Sequence, residues 1–98
     1  MKFVINNKMY DTDKMVSLGN VKKWFESTDW MTVYFVGKGK GRVYDCEIFK
    51  SNKGNHLLVR KINDQHCAEV IEEIEVKELL MKYNYDRYAE LYGEIEEA

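Results

Sequence analysis

The chain predicts an α+β fold: an antiparallel meander of about four to five strands packed by short C-terminal helices. Three observations carry this prediction. The middle of the chain is dense in β-branched and aromatic residues, often alternating with polar ones. Asparagine and glycine fall between these runs where tight turns need them. From Val76 onward the apolar spacing changes to that of a helix. The 98 residues form a single domain, 1–98, long enough to bury a core.

Taken in order, "FVINNKMYD" reads as two short β runs around Asn6-Asn7, because asparagine tolerates positive φ. "DTDKMVSLG" offers Asp11 or Thr12 as a cap, a brief helical turn, and Gly19 as its stop. In "NVKKWFESTD", Val21, Trp24 and Phe25 fall at i, i+3 and i+4, which predicts a short amphipathic helix. "WMTVYFV" (residues 30–36) predicts a strand, and GKGKG a flexible hairpin tip. "RVYDCEIFK" alternates Tyr44, Cys46 and Ile48 with Asp45 and Glu47, a period of two. Gly54 suits the left-handed position of a three-residue loop before the strand "HLLVRKI". "NDQHCAEVIEEIE" admits two readings, a further strand or the start of a helix. Val76, Leu79, Leu80 and Tyr83 then mark one helix face, and Tyr85, Tyr88, Leu91 and Tyr92 a second. Asn84 separates the two helices and Gly93 ends the last.

Charge is divided unevenly. Residues 1–62 carry ten Lys and two Arg against six acids, a net of +6. Residues 63–98 carry two Lys and one Arg against eleven acids, a net of −8. Such polarity predicts a charged partner, or else a basic sheet and acidic helices that neutralise each other. Lys38, Lys40 and Arg42 at the hairpin tip, with Lys50, Lys53, Arg60 and Lys61, are the candidate phosphate contacts. Trp30 and Tyr34 can stack bases if exposed, or serve as core. Glu72, Glu73, Glu75, Glu78, Asp86 and Glu90 are the candidate protein-binding face, flanked by Glu69, Glu94, Glu96 and Glu97. The other reading of these acids is a solvated face that keeps the chain soluble.

The chemistry of catalysis and metals is thin. His56, His66, Cys46 and Cys67 repeat no metal-ligand spacing, so no cofactor and no metal site are expected. His66 and Cys67 are adjacent, and neighbours on one chain point apart, which argues against a thiol–imidazole pair. GKGKGR lacks the Gly-x4-Gly-Lys-Ser/Thr spacing of a phosphate loop, and a strand follows it. The chain is expected to be non-enzymatic. No stretch reaches the ~20 apolar residues of a membrane span. The opening turns polar by Asn6, too soon for a signal sequence, which predicts a cytoplasmic protein with reduced cysteines.

Three motifs carry a resemblance. "INNKMYDT" is similar to an I-x-G-K-x-Y-D-T opening, "EIFKSNKGNHLL" to a central E-T-L-Y-x-x-K-x-G-x-x-F-L hairpin, and "ELYGEIEE" to an F-G-E-V-E-E close. Together they resemble a group of small proteins carried by phages, plasmids and integrative elements of Gram-positive bacteria. Residues 20–44 fall outside the pattern. The resemblance implies an accessory protein of a mobile element, acting in the host bacterial cell, and anti-CRISPR proteins are its sharpest form. It transfers no catalytic residues. The expected function is therefore to bind and inhibit a host defence nucleoprotein, a Cas nuclease with guide RNA. The alternative is a small RNA- or DNA-binding accessory protein that uses the basic hairpin face.

Overall fold

A computed structural model describes residues 1–26 and 41–97. The strand expected at residues 30–36, with Trp30 and Tyr34, and the tip lysines Lys38 and Lys40 lie outside them. The fold is α+β, a four-stranded antiparallel sheet and a two-stranded sheet with two C-terminal helices packed on it.

Strands β1 (Lys2–Ile5) and β2 (Lys8–Asp11) form a hairpin, with Phe3 opposite Tyr10. Asn6 (φ 52°) and Asn7 (φ 63°) both take the left-handed backbone that a two-residue turn with the twist of its strands demands. The Asp11 carboxylate then accepts the Asp13 N–H at 3.1 Å and starts a single 3-10 turn, Thr12–Lys14. Thr12 is buried, its N–H donating to the Met1 carbonyl at 2.8 Å and its hydroxyl oxygen accepting from the chain's amino terminus at 3.0 Å.

β3 runs Val16–Glu26 and corrects two expectations. Gly19 stops no helix, and "NVKKWFE" is strand and not helix. Gly19 (φ 126°) sits at a bulge, where the register with β4 slips between Ser17 and Gly19. Beyond it the period is two: Val21, Lys23 and Phe25 face the helices, and Lys22 and Trp24 face away. Helical spacing of Val21, Trp24 and Phe25 was a local coincidence, since Trp24 is half exposed on the other face. An unbroken ladder from Gly19 to Glu26 against Ile48 to Gly41 outweighs local propensity here.

β4 (Gly41–Lys50), β5 (His56–Ile62) and β6 (Gln65–Ile71) complete the meander, in the order β3-β4-β5-β6. Ser51 N–H donates to the Asn55 carbonyl at 2.9 Å and closes a three-residue loop with Gly54 at φ 85°. Asn63 (φ 48°) and Asp64 (φ 68°) make a second two-residue turn into β6, so the strand reading of residues 65–71 holds. Helix α1 spans Glu73–Tyr83, Asn84 interrupts it, and α2 spans Tyr85–Tyr92 before Gly93 (φ 92°).

The sheet is covered on both faces, and so the central strand reads His56-Leu57-Leu58-Val59 without an exposed position. On one face Val76 and Leu80 of α1 pack on Leu18, Val21, Cys46, Ile48, Leu58 and Ile71. On the other, Tyr10 of the hairpin packs on Phe49, Leu57 and Val59. Ile48, Leu57, Val76 and Leu80 are wholly buried, each such side chain contributing about 1.5–3 kcal/mol relative to exposure.

Candidate interaction surfaces

The predicted cations among the described residues do not form one patch. Arg42 stands second in β4 and Lys50 closes it, about 26 Å apart at the rise of a strand. Arg42 and Arg60 share the helix-side face with two aromatic rings. The Arg60 guanidinium lies 3.5 Å from the Phe25 ring centre and 4.7 Å from that of Tyr44, and Arg42 is also 4.7 Å from Tyr44. Phe25 and Tyr44 meet edge to face at 5.8 Å. Arg60 is thus a stacking element of this end of the sheet. Lys61 alternates to the opposite face and pairs with Asp64 at 3.7 Å. Lys50 and Lys53 sit at the far end, beside the β4–β5 loop.

Several cations are matched by carboxylates. Lys23 Nζ donates to Glu69 at 2.8 Å and to Glu75 at 3.0 Å, joining β3, β6 and α1. Burial pulls its pKa down, but the two carboxylates outweigh that and hold it above the usual lysine value. Lys22 pairs with Asp45 at 3.4 Å. Among the ion pairs of the described residues, Lys23 and Lys61 are the cations of residues 1–62 that meet acids of residues 63–98. Mutual neutralisation of the basic and acidic parts is therefore local.

Two clefts of similar size show the contrast. One, of about 470 Å³, is lined by Lys22, Lys61, Asp45, Glu47 and His66. The other, of about 510 Å³, lies between the β1–β2 hairpin and the β4–β5 loop, and holds Lys8, Lys14 and Lys53 against the single carboxylate of Asp11. None of these three lysines makes an ion pair among the described residues. Sequence reasoning singled out Lys53 but missed Lys8 and Lys14, which only the packing of the hairpin brings to it. On the helix-side face, in a separate cleft with Ile71, Glu72 and Glu73, His56 is buried; burial followed by the charge of Lys50 lowers its pKa, against the pull of Glu73.

The acidic candidates divide as well. Glu75 is held by Lys23, Glu73 lies 3.6 Å from Lys77, and Glu90 lies 2.9 Å from Arg87. Glu72, Glu78 and Asp86 are exposed and make no ion pair among the described residues. Ile74 and Met81 are exposed on α1 one turn before Glu78 and nearly one turn after it, so acid and apolar surface share a stripe. Past Gly93 the Ile95 N–H donates to the Tyr85 hydroxyl at 2.8 Å, which brings the acidic end back toward α2. Burial raises the Tyr92 hydroxyl, and Glu73 and Tyr88 add to the shift.

Arg87 is structural. Its Nε donates to the Leu18 carbonyl at 3.0 Å and its second terminal nitrogen to that of Ser17 at 3.2 Å. Asn84 Nδ2 donates to the Asn20 carbonyl at 3.1 Å. Gly19 permits this approach, because a Cβ there would stand 2.9 Å from Asn84 Nδ2 and 3.1 Å from Arg87 Cγ.

Cys46 and Cys67 flank Arg60 in register, one strand apart on either side. That separation is about 9–10 Å between Cα atoms, beyond disulfide reach, and both thiols are free. Burial raises the Cys46 thiol. His66 and Cys67 alternate to opposite faces of β6. Among the described residues no three His, Cys, Asp or Glu side chains converge as a metal site, and no helix is long and apolar enough to cross a membrane. Compared with known proteins, the chain matches no family model, no curated protein and no solved structure.

Proposed function

We propose that the chain is a non-enzymatic interaction protein of a mobile genetic element that binds and inhibits a host defence nucleoprotein. A Cas nuclease with its guide RNA is the target to which the three-motif resemblance leads. The observation that carries the reading is the outer surface of α1, where Glu72 and Glu78 stay unneutralised beside exposed Ile74 and Met81, with Asp86 exposed and without an ion pair on α2 among the described residues. Such a surface complements the basic channels that hold nucleic acid in a nuclease, and long-range attraction speeds and steers docking. An apolar stripe adds desolvated contact that charge alone does not supply.

The test is a binding titration of the purified chain against Cas nuclease–guide RNA complexes, paired with a plasmid-interference assay. The expected result is a salt-sensitive complex and loss of interference. Glu72→Lys, Glu78→Lys and Asp86→Lys together should abolish both. Failure of every nuclease complex to bind, or binding that ignores the triple charge reversal, overturns the reading.

A second reading, a nucleic-acid-binding accessory protein, is favoured by one observation: the unmatched lysines of the hairpin–loop cleft. Gel shifts with RNA and DNA test it, and no shift by the intact chain at low salt removes it. If Lys38→Ala, Lys40→Ala and Arg42→Ala together leave a shift unchanged, the glycine-rich tip has no part in it.

A further inference from the structure

We infer that the cleft between the β1–β2 hairpin and the β4–β5 loop is a binding site for single-stranded nucleic acid. The inference deepens the second reading above and rests on it, assigning the contact to a place away from the glycine-rich tip. Lys8, Lys14 and Lys53 enter one concavity from three separate segments. Three cations against one carboxylate leave the cleft net positive, and a bound polyanion relieves the remaining repulsion. The one carboxylate present, Asp11, offsets one of the three charges and also accepts the Asp13 N–H.

The remaining lining distinguishes a single strand from other polyanions. Met9 is 62% exposed and Met15 borders the same concavity, so a flexible apolar surface lies among the cations. A thioether packs against the flat face of a base, which a duplex keeps stacked away. Asn52 and Asn55 also line the cleft, and their side-chain amides make no hydrogen bond among the described residues. Each can donate and accept, matching the edge of an unpaired base. A volume of about 510 Å³ suits a unit of one nucleotide better than a rigid double helix. The lysines then hold phosphates on either side while a base enters between them.

Fluorescence anisotropy with labelled oligo-U, oligo-dT and a duplex of equal length tests this, using the full chain at about 50 and 200 mM salt. The site variant is Lys8→Ala, Lys14→Ala and Lys53→Ala. The control is Lys22→Ala, Lys61→Ala and Lys77→Ala, which removes the same charge from lysines that are already paired. The site variant should lose about tenfold or more in affinity, and its salt dependence should become shallower by about two counterions. The control should stay within about twofold. A preference for oligo-U over oligo-dT assigns RNA, and the reverse assigns DNA. If the intact chain binds nucleic acid but both variants bind alike, this site is wrong and the broader reading survives. No binding by the intact chain removes both, and a duplex bound as tightly as the single strands overturns the single-strand assignment. Melting temperatures of both variants guard against unfolding as the cause.

Discussion

Two clefts of nearly equal volume lie on this small chain, and they treat lysine in opposite ways. In the cleft of about 470 Å³, Lys22 and Lys61 each meet a carboxylate, Asp45 and Asp64, within 4 Å. In that of about 510 Å³, Lys8, Lys14 and Lys53 meet none among the described residues. A paired surface lysine contributes little to stability, and an unpaired one contributes less, yet it leaves a field that a partner can use. The difference teaches that cations among the described residues fall into two kinds, those occupied by the fold and those left to solvent.

The comparison can be strained from its occupied side first. Gly19→Ala should cost about 2–3 kcal/mol, because the new Cβ meets Asn84 and Arg87 and the backbone stands at a positive φ. Urea unfolding measures it, and a cost below about 0.5 kcal/mol would mean that Arg87 does not hold β3 as drawn. Next in size, Lys23→Met should cost about 1–2 kcal/mol by leaving Glu69 and Glu75 facing each other, a figure that allows for solvent screening. Adding Glu69→Gln and Glu75→Gln to Lys23→Met should restore part of the loss.

The unoccupied side yields smaller effects. His56 titrates lower when folded than unfolded, so the unfolded chain takes up its proton first. Stability should therefore decline as pH falls below about 6.5, the ordinary histidine value, and on toward the folded value. Lys50→Gln should weaken that decline and raise the His56 titration followed by NMR; an unmoved titration would show that Lys50 is already neutralised. Smallest of all, Lys8→Ala, Lys14→Ala and Lys53→Ala together should shift folding stability by no more than about 0.5 kcal/mol. A marked loss would place these lysines among the occupied kind.

Where the sequence announced the fold, local chemistry was decisive. Asn6-Asn7 sits at left-handed φ, Gly54 likewise, and Asn84 and Gly93 end their helices where the sequence puts them. Where local chemistry was neutral, the reading failed. Val21, Trp24 and Phe25 fit one helix face as well as they fit two strand faces, and the ladder to β4 decided between them. The split among lysines was illegible for a stronger reason. Lys23 finds Glu69 and Glu75 across 46 and 52 positions, and Lys14 and Lys53 share a cleft only after the hairpin folds over the sheet. Likewise, the stacking of Arg60 on Phe25 joins two strands that no local pattern pairs.

The contact between Arg87 and β3 has a consequence for assembly. Every open sheet ends in two strands whose outer backbone groups can template further chains, and growth without end requires both to be available. Here the outer carbonyls of Ser17, Leu18 and Asn20 already accept hydrogen bonds from Arg87 and Asn84. A foreign strand could join this stretch of β3 only by stripping α2 from its seat. Along that stretch the border is already spent, and sheet growth that needs both edges whole meets an obstacle at this one.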